Sequence, residues 1–319
     1  MFRPSVFAAA IAHLVGPGKI KIANRRLVFS AKDQKPLRLD ASALKTLFCY
    51  GPVGISDDAF DLLFSQHISV VWLSRDARRC RARLVAVDAS RASLRLHQYR
   101  AFLDPPFRRD FAAHLVVQKI DSQILAARHY QRHGLAAAAD ALQTLDSLRN
   151  KLPHANLDEI RGIEGAASAR WFALLGDILQ PPWSFSCRSR RPPKDPVNAL
   201  LSLGYTLLFT RALVFAEACG FETYLGAFHD FRPGRPSLAC DLIEPFRVPA
   251  VDRWVIGLCN RQEITPQDFF ADSSGFRLQP ERFGAILHSW EKHYFETRQD
   301  EALQKEVEEL VKKVQRFRG

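Results

Sequence analysis

The chain of 319 residues carries 45 Lys and Arg against 34 Asp and Glu, a net charge of +11, with an apolar content ordinary for a globular protein. That length suffices for one large domain or two smaller ones with real cores. Its positive balance favours a polyanionic partner such as nucleic acid. Six cysteines (Cys49, Cys80, Cys187, Cys219, Cys240 and Cys259) are widely spaced without a C-x-x-C pair, which argues against a zinc ribbon or a disulfide framework and suits a reducing cytoplasm.

The first stretch, "MFRPSVFAAAIAHLVGPG", resembles a secretory signal in its single Arg and short apolar run, but His13 interrupts the run and strand-like sequence follows at once, so a structured N-terminus is expected. "IKIANRRLVFS" places an Asn24-Arg25-Arg26 turn between two alternating runs. "KDQK" marks a reversal before "PLRLD", and "ISVVWLS" and "RARLVAV" read as further strands. Between them "SDDAFDLLFSQH" has a capping serine, early acids and helical apolar spacing. After Ser90 the spacing turns helical: "DPPF" breaks the chain before "RRDFAAHLVVQKIDSQILAARHYQRHG", and "AADALQTLDSLRNKL" and "LDEIRGIEGAASARWFALLGDIL" follow. The Pro-rich basic stretch "QPPWSFSCRSRRPPKDP" precedes "VNALLSLGYTLLFTRALVFAEACG". The uncharged run Pro196 to Thr210 in that region is too short for a bilayer and reads as a buried helix rather than a membrane span. "DEALQKEVEELVKKVQRF" predicts a charged amphipathic helix that docks or caps. The expected fold is therefore α+β: a β-rich N-terminal domain over 1–95, then an all-helical domain over 96–319.

The acids cluster in the helical part: residues 1–90 hold 14 Lys and Arg but only 7 Asp and Glu. Within "GRPSLACDLIEPFR", Asp241 and Glu244 stand three apart, on one face of a helix. Two adjacent carboxylates raise each other's proton affinity unless a cation joins them, which a divalent metal does directly. Pairing of the two acids with Arg235 and Arg247 on a solvated face is the competing reading. Pro245 cannot donate to the carbonyl of Asp241, so the helix should kink or end there. "RGIEGAASARWF" sets Glu164 beside Gly165, Ala166, Ala167 and Ser168, small groups that leave room for a ligand or another chain. "GFETYLGAFHDFRPGRPSL" carries His229 in a Gly- and Pro-punctuated segment leading into the Asp241 helix. Other motifs fail: "SALK" (Ser42 to Lys45) fits S-x-x-K but lacks the partner motifs of a serine acylase, and no phosphate-binding G-x-x-x-x-G-K-[ST] loop occurs.

Taken together, "IRGIEGAASARWF", "KDPVNALLSLGYTLLF" and "GFETYLGAFHDFRPGRPSLACDLIEPFR" resemble the blocks of the CRISPR-associated protein 1 family, the metal-dependent integrase and nuclease of CRISPR adaptation. "QKIDSQ" looks like that family's first helix of the helical domain, and the resemblance extends over nearly the whole chain. Trp171 stands where Tyr is common, Thr223 where Pro is common and Cys240 in place of an aliphatic residue.

The resemblance implies a catalytic set of Glu164, His229, Asp241 and Glu244, with Glu164, His229 and Glu244 as ligands of Mg²⁺ or Mn²⁺ and Asp241 adjoining them. Carboxylate oxygens suit both ions, and the single imidazole tilts the choice toward Mn²⁺. It further implies a homodimer formed through the N-terminal domain, two such dimers flanking a dimer of CRISPR-associated protein 2, and the joining of 3′-hydroxyl ends of short double-stranded DNA (the protospacer) to the CRISPR repeat by transesterification, with hydrolysis when water attacks. Arg188, Arg190, Arg191 and Lys194 in the Pro-rich loop, and Arg232, Arg235 and Arg247 around His229 and the acids, are candidate phosphate contacts. Asn198, Ser202 and Tyr205 share one helix face and would line the site or support it. Two alternatives stand beside this reading: a catalytically silent nucleic-acid-binding scaffold, and a stand-alone integrase of a mobile element from the same family.

Overall fold

A computed structural model describes residues 6–7, 11–24, 26–32, 35–77, 79–84, 92–190 and 192–318. The elements in chain order are β1 (Val6–Phe7), β2 (Ile11–Val15), β3 (Gly18–Ala23), β4 (Arg26–Ala31), β5 (Leu37–Leu39), β6 (Thr46–Tyr50), β7 (Val53–Ile55), α1 (Asp57–Ser65), β8 (Ser69–Leu73) and β9 (Cys80–Leu84). Then come α2 (Ala92–Leu103), α3 (Pro105–Arg132), α4 (Ala137–Lys151), α5 (Leu157–Ile178), α6 (Pro196–Cys219), α7 (Ser237–Leu242) and α8 (Arg253–Asn260). The hairpin strands β10 (Phe269–Asp272) and β11 (Gly275–Leu278) precede α9 (Pro280–Glu296) and α10 (Gln299–Arg316).

The expected class holds: a β-rich N-terminal region precedes a helical one. The chain forms two compact units, 1–88 with 277–296, and 89–276 with 297–319. This differs from a division at residue 95 into two continuous domains, because α9 packs in the first unit. It also differs from an all-helical second domain, because that region contains the β10–β11 hairpin.

In the first unit one sheet runs β1-β2-β6-β8-β9 and another β5-β4-β3-β7. The first sheet is parallel at β2–β6 and β6–β8 and antiparallel at its edges. The parallel connection from β6 to β8 contains α1, as such crossovers require. Ala23 pairs with Arg26 across the β3–β4 hairpin, so the turn expected at Asn24 closes there. Asn24 itself takes the left-handed backbone (φ 51°) that Asn tolerates. Leu14, Ile20, Leu27, Leu47, Cys49, Leu63 and Val70 form the core, each fully buried. Within the same unit, buried His13 bonds Tyr50 Oη (2.7 Å) and Glu291 of α9 (2.8 Å), which pairs the polar groups that the packing removes from water.

In the second unit the helix starts follow capping chemistry. Asp104 accepts from the Phe107 amide ahead of α3, Asn156 and Glu159 form a reciprocal capping box on α5, and Asp195 accepts from the Asn198 amide ahead of α6. α3, α4 and α5 pack on one another, and Leu115, Ile120, Leu145, Ile160 and Ala167 on them are fully buried. α6 has the length and composition to cross a bilayer, yet 72% of its most apolar window is buried inside the protein. It is the central core helix of the unit and ends at Gly220 with φ 96°, the left-handed cap glycine favours.

Candidate metal and DNA site

Glu164 projects from the middle of α5, and Lys119 from the middle of the adjoining α3. The stretch after Arg235 is strongly interrupted: α7 lasts six residues, a 3₁₀ turn covers Glu244–Phe246, a π-helical stretch covers Arg247–Asp252, and α8 begins at Arg253. The break falls where Pro245 forbids a regular continuation. It separates Asp241 from Glu244, and the two carboxylates acquire different partners.

Asp241 is fully buried and saturated. Its Oδ2 accepts from the amides of Ala227 (2.7 Å) and Phe228 (3.1 Å), and its Oδ1 from the His229 amide (2.9 Å) and His229 Nδ1 (2.7 Å). A carboxylate receiving four such bonds is acceptor-only, so Nδ1 carries a proton, and in the neutral imidazole the lone pair lies on Nε2. The loop lies so close that a Cβ on Gly226 would stand 2.8 Å from Asp241 Oδ2, a contact only glycine avoids. The ion pair considered between Asp241 and Arg235 does not form. Arg235 instead donates to the Asp230 carbonyl (2.5 Å) and to Ser237 Oγ (3.3 Å).

Glu244 is 2% exposed and ionised. Burial alone would raise its pKa, but Arg247, Lys119 and His229 outweigh that and hold it at about 2. Its Oε1 meets Arg247 Nη2 at 2.9 Å, the pairing considered from sequence, and its Oε2 accepts from Lys119 Nζ at 2.6 Å. The same ammonium donates to Glu164 Oε1, which also accepts from Ser168 Oγ at 2.8 Å. Two carboxylates from distant parts of the chain thus meet one cation. Among the described residues no three His, Cys, Asp or Glu side chains are gathered closely enough to make a ready metal site; the donor types alone suit a divalent ion, two hard carboxylates on one positive centre and an imidazole bonded to Asp241.

Residues that sequence reasoning passed over complete the site. Lys119 lies in the "QKIDSQ" stretch, at a position where the apolar register of α3 (Ala112, Leu115, Val116, Ile120, Ala127) turns inward, so a charged residue in that register is the signal. Arg108 and Arg161 hold the His229 loop from α3 and α5. Each donates to Asp230 Oδ1 at 2.7 Å, and they reach the carbonyls of Ala227 and Phe228 respectively. Local sequence carries no sign of that clamp, which spans 122 and 69 residues.

The candidate phosphate contacts separate by exposure. Arg190, Lys194 and Arg232 are exposed. Arg188 is half-buried, bonded to Asn198 Oδ1 (2.8 Å) and Ser202 Oγ (3.0 Å), and burial lowers its pKa to about 10. Arg247 lies over the Tyr205 ring at 4.8 Å as well as on Glu244, so both guanidiniums serve the interior. Arg191 lies outside the described residues. Tyr205 and Trp171 donate to buried Asp252 at 2.5 and 2.7 Å, and burial raises the Asp252 pKa to about 6. The face anticipated for Asn198, Ser202 and Tyr205 is therefore occupied by protein partners, Asn198 and Ser202 holding Arg188 and Tyr205 holding Asp252 under Arg247.

The family described as CRISPR associated protein Cas1 matches residues 12–292. The CRISPR-associated endonuclease Cas1 1 of Thermodesulfovibrio yellowstonii is 34% identical over 282 residues, 85% of this chain and 88% of that protein. The endonuclease Cas1 2 of Rhodospirillum rubrum is 32% identical over 82% of this chain and 78% of its own length. Among solved structures, a Cas1 protein from Thermotoga maritima superposes with a TM-score of 0.83 at 20% identity, covering 97% of each chain. A casposase bound to integration product superposes at 0.75 and 19% identity, covering 97% of this chain and 96% of its own. These two likenesses concern the fold.

Proposed function

Because the chain belongs to the Cas1 family of CRISPR-associated proteins, we propose that it is a divalent-metal-dependent DNA integrase and endonuclease of CRISPR adaptation. In this reading it works in the cytoplasm, joining the 3′-hydroxyl ends of a short duplex to a CRISPR repeat. Relatives carrying the name endonuclease support the class of reaction. Solved structures titled as Cas6-RT-Cas1–Cas2 and Cas1–DNA complexes support Cas2 and DNA as partners; in this reading the DNA is double-stranded and a homodimer of this chain meets a Cas2 dimer. The observation that carries the reading is the meeting of Glu164 and Glu244 on one cation, with Glu244 also within electrostatic reach of His229, whose Nδ1 bonds Asp241.

Glu164, Glu244 and His229 would hold the Mg²⁺ or Mn²⁺ ion. When bound, such an ion polarises a phosphodiester and acidifies an attacking hydroxyl. The chain's own residues prepare that chemistry. Asp241 locks the imidazole tautomer and its direction. Arg247 keeps Glu244 ionised and oriented, and Ser168 orients Glu164. A Cβ at Gly162 or Gly165 would meet nothing within 4 Å, so the α5 surface beside Glu164 has room for a DNA backbone, with Arg190, Lys194 and Arg232 as exposed phosphate donors.

An integration assay with a 3′-hydroxyl duplex, a supercoiled repeat target and Mn²⁺ tests the proposal. Glu164→Ala is expected to lower joining by roughly a hundredfold or more while DNA binding is largely kept, because the loss falls on the transition state. Joining that survives the substitution would leave only the DNA-binding scaffold. Equal reaction of a duplex with blocked 3′ ends would exclude the proposed nucleophile.

A further inference from the structure

A lysine buried to 3% exposure is costly unless it is paired, and Lys119 is paired twice. Its stem descends the core face of α3, and its ammonium reaches Glu164 Oε1 and Glu244 Oε2 from the protein interior. The formal charges of Glu164, Glu244, Lys119 and Arg247 sum to zero, so the pocket is electrically balanced before any metal arrives. Glu164 has 23% of its side chain exposed, whereas Lys119 has 4%. Glu244 has only 3%, so solvent reaches the pair of carboxylates by way of Glu164.

Building on the metal reading above, we infer that Lys119 is a built-in competitor of the divalent ion: it holds Glu164 and Glu244 together in the metal-free protein and must yield their oxygens for the ion to bind. Metal affinity is thereby kept low in the DNA-free protein. A DNA phosphate, whose negative charge offsets the excess left when a dication joins a neutral pocket, strengthens binding. The lysine also spares the two glutamates the mutual repulsion that would otherwise push them apart or protonate one of them.

The test is a calorimetric titration of Mn²⁺ into the full-length, DNA-free protein, with thermal melts in the presence and absence of the ion. Lys119→Met removes the ammonium at similar side-chain volume, and Glu244 keeps Arg247. It is expected to bind Mn²⁺ at least about tenfold more tightly than the parent, about 1.4 kcal/mol, and to gain more thermal stability from the ion. Lys119→Arg, which retains the charge, should bind no more tightly than the parent. Should the methionine variant not fold, Lys119→Gln, whose amide still donates to one carboxylate, takes its place with the same expectation. Equal or weaker Mn²⁺ binding by the neutral variant, against a parent that binds, overturns the competitor role and leaves the metal site standing. Absence of binding in parent and variant alike, or binding that Glu164→Ala does not reduce, overturns the metal reading and this inference with it.

Discussion

Asp241 does its work at the scale of a single carboxylate. It fastens three consecutive amides and an imidazole, so the loop conformation and the His229 tautomer depend on the same two oxygens. Asp241→Asn keeps the shape but introduces an NH₂ group facing donors, and it removes the charge that favours Nδ1–H. The expected outcome is a loss of roughly 10–100-fold in metal affinity or joining rate, with a lower melting temperature, read by Mn²⁺ titration and a melt of the same preparation. Unchanged metal affinity would mean that the imidazole needs no such support. Sequence alone showed Asp241 as one of two acids three positions apart. It did not show that one acid would bind backbone and the other a cation, because that division comes from a loop folding back 12 to 14 residues upstream.

At the scale of elements, the helix starts and breaks were legible because their causes are local. Asp104, Asn156 and Asp195 stand where a side-chain oxygen can satisfy free amides, and Pro245 ends regular helix between the two acids. Ser56 is an instructive exception: it occupies the first position before α1 but donates to Asp58 instead of capping an amide. The Asp195 cap has a testable weight. Asp195→Ala removes acceptors for the Asn198 amide (2.7 Å) and for Asn198 Nδ2 (2.6 Å), and Asn198 in turn anchors Arg188 and the Ser189 amide. A loss of about 1–2 kcal/mol is expected in urea unfolding. A change confined to DNA joining, with stability intact, would contradict a structural role. The Lys119–Glu164–Glu244 meeting, by contrast, joins α3, α5 and a 3₁₀ turn across 45 and 125 residues, and no local pattern specifies that two helices and a turn present those side chains to one point.

At the scale of the whole molecule the excess of positive charge has to be located before it explains binding. Arg188 and Arg247 are held by interior partners and Arg235 by its own loop at the Asp230 carbonyl, while Arg190, Lys194 and Arg232 face solvent. Arg190→Ala with Lys194→Ala should therefore weaken DNA binding at all sequences and reduce the slope of log affinity against log salt by about 1 for each phosphate that no longer meets a cation, measured by fluorescence anisotropy over a salt series. An unaltered slope would remove the Pro-rich loop from the DNA surface. The two units likewise required tertiary information, since α9 lies near the end of the chain yet buries Trp290 and Tyr294 in the first unit, where Glu291 meets His13 278 residues away. By itself the sequence determined the α+β class, the position of most strands and helices, and the family to which its spaced acidic and histidine blocks belong, since periodicity, capping and motif spacing are all short-range properties. Only the tertiary structure decided which charges are paired inside and which remain outside, and that a lysine stands between the two glutamates. Burial and long-range packing set the strength and partners of every charge, and neither is written in any one segment.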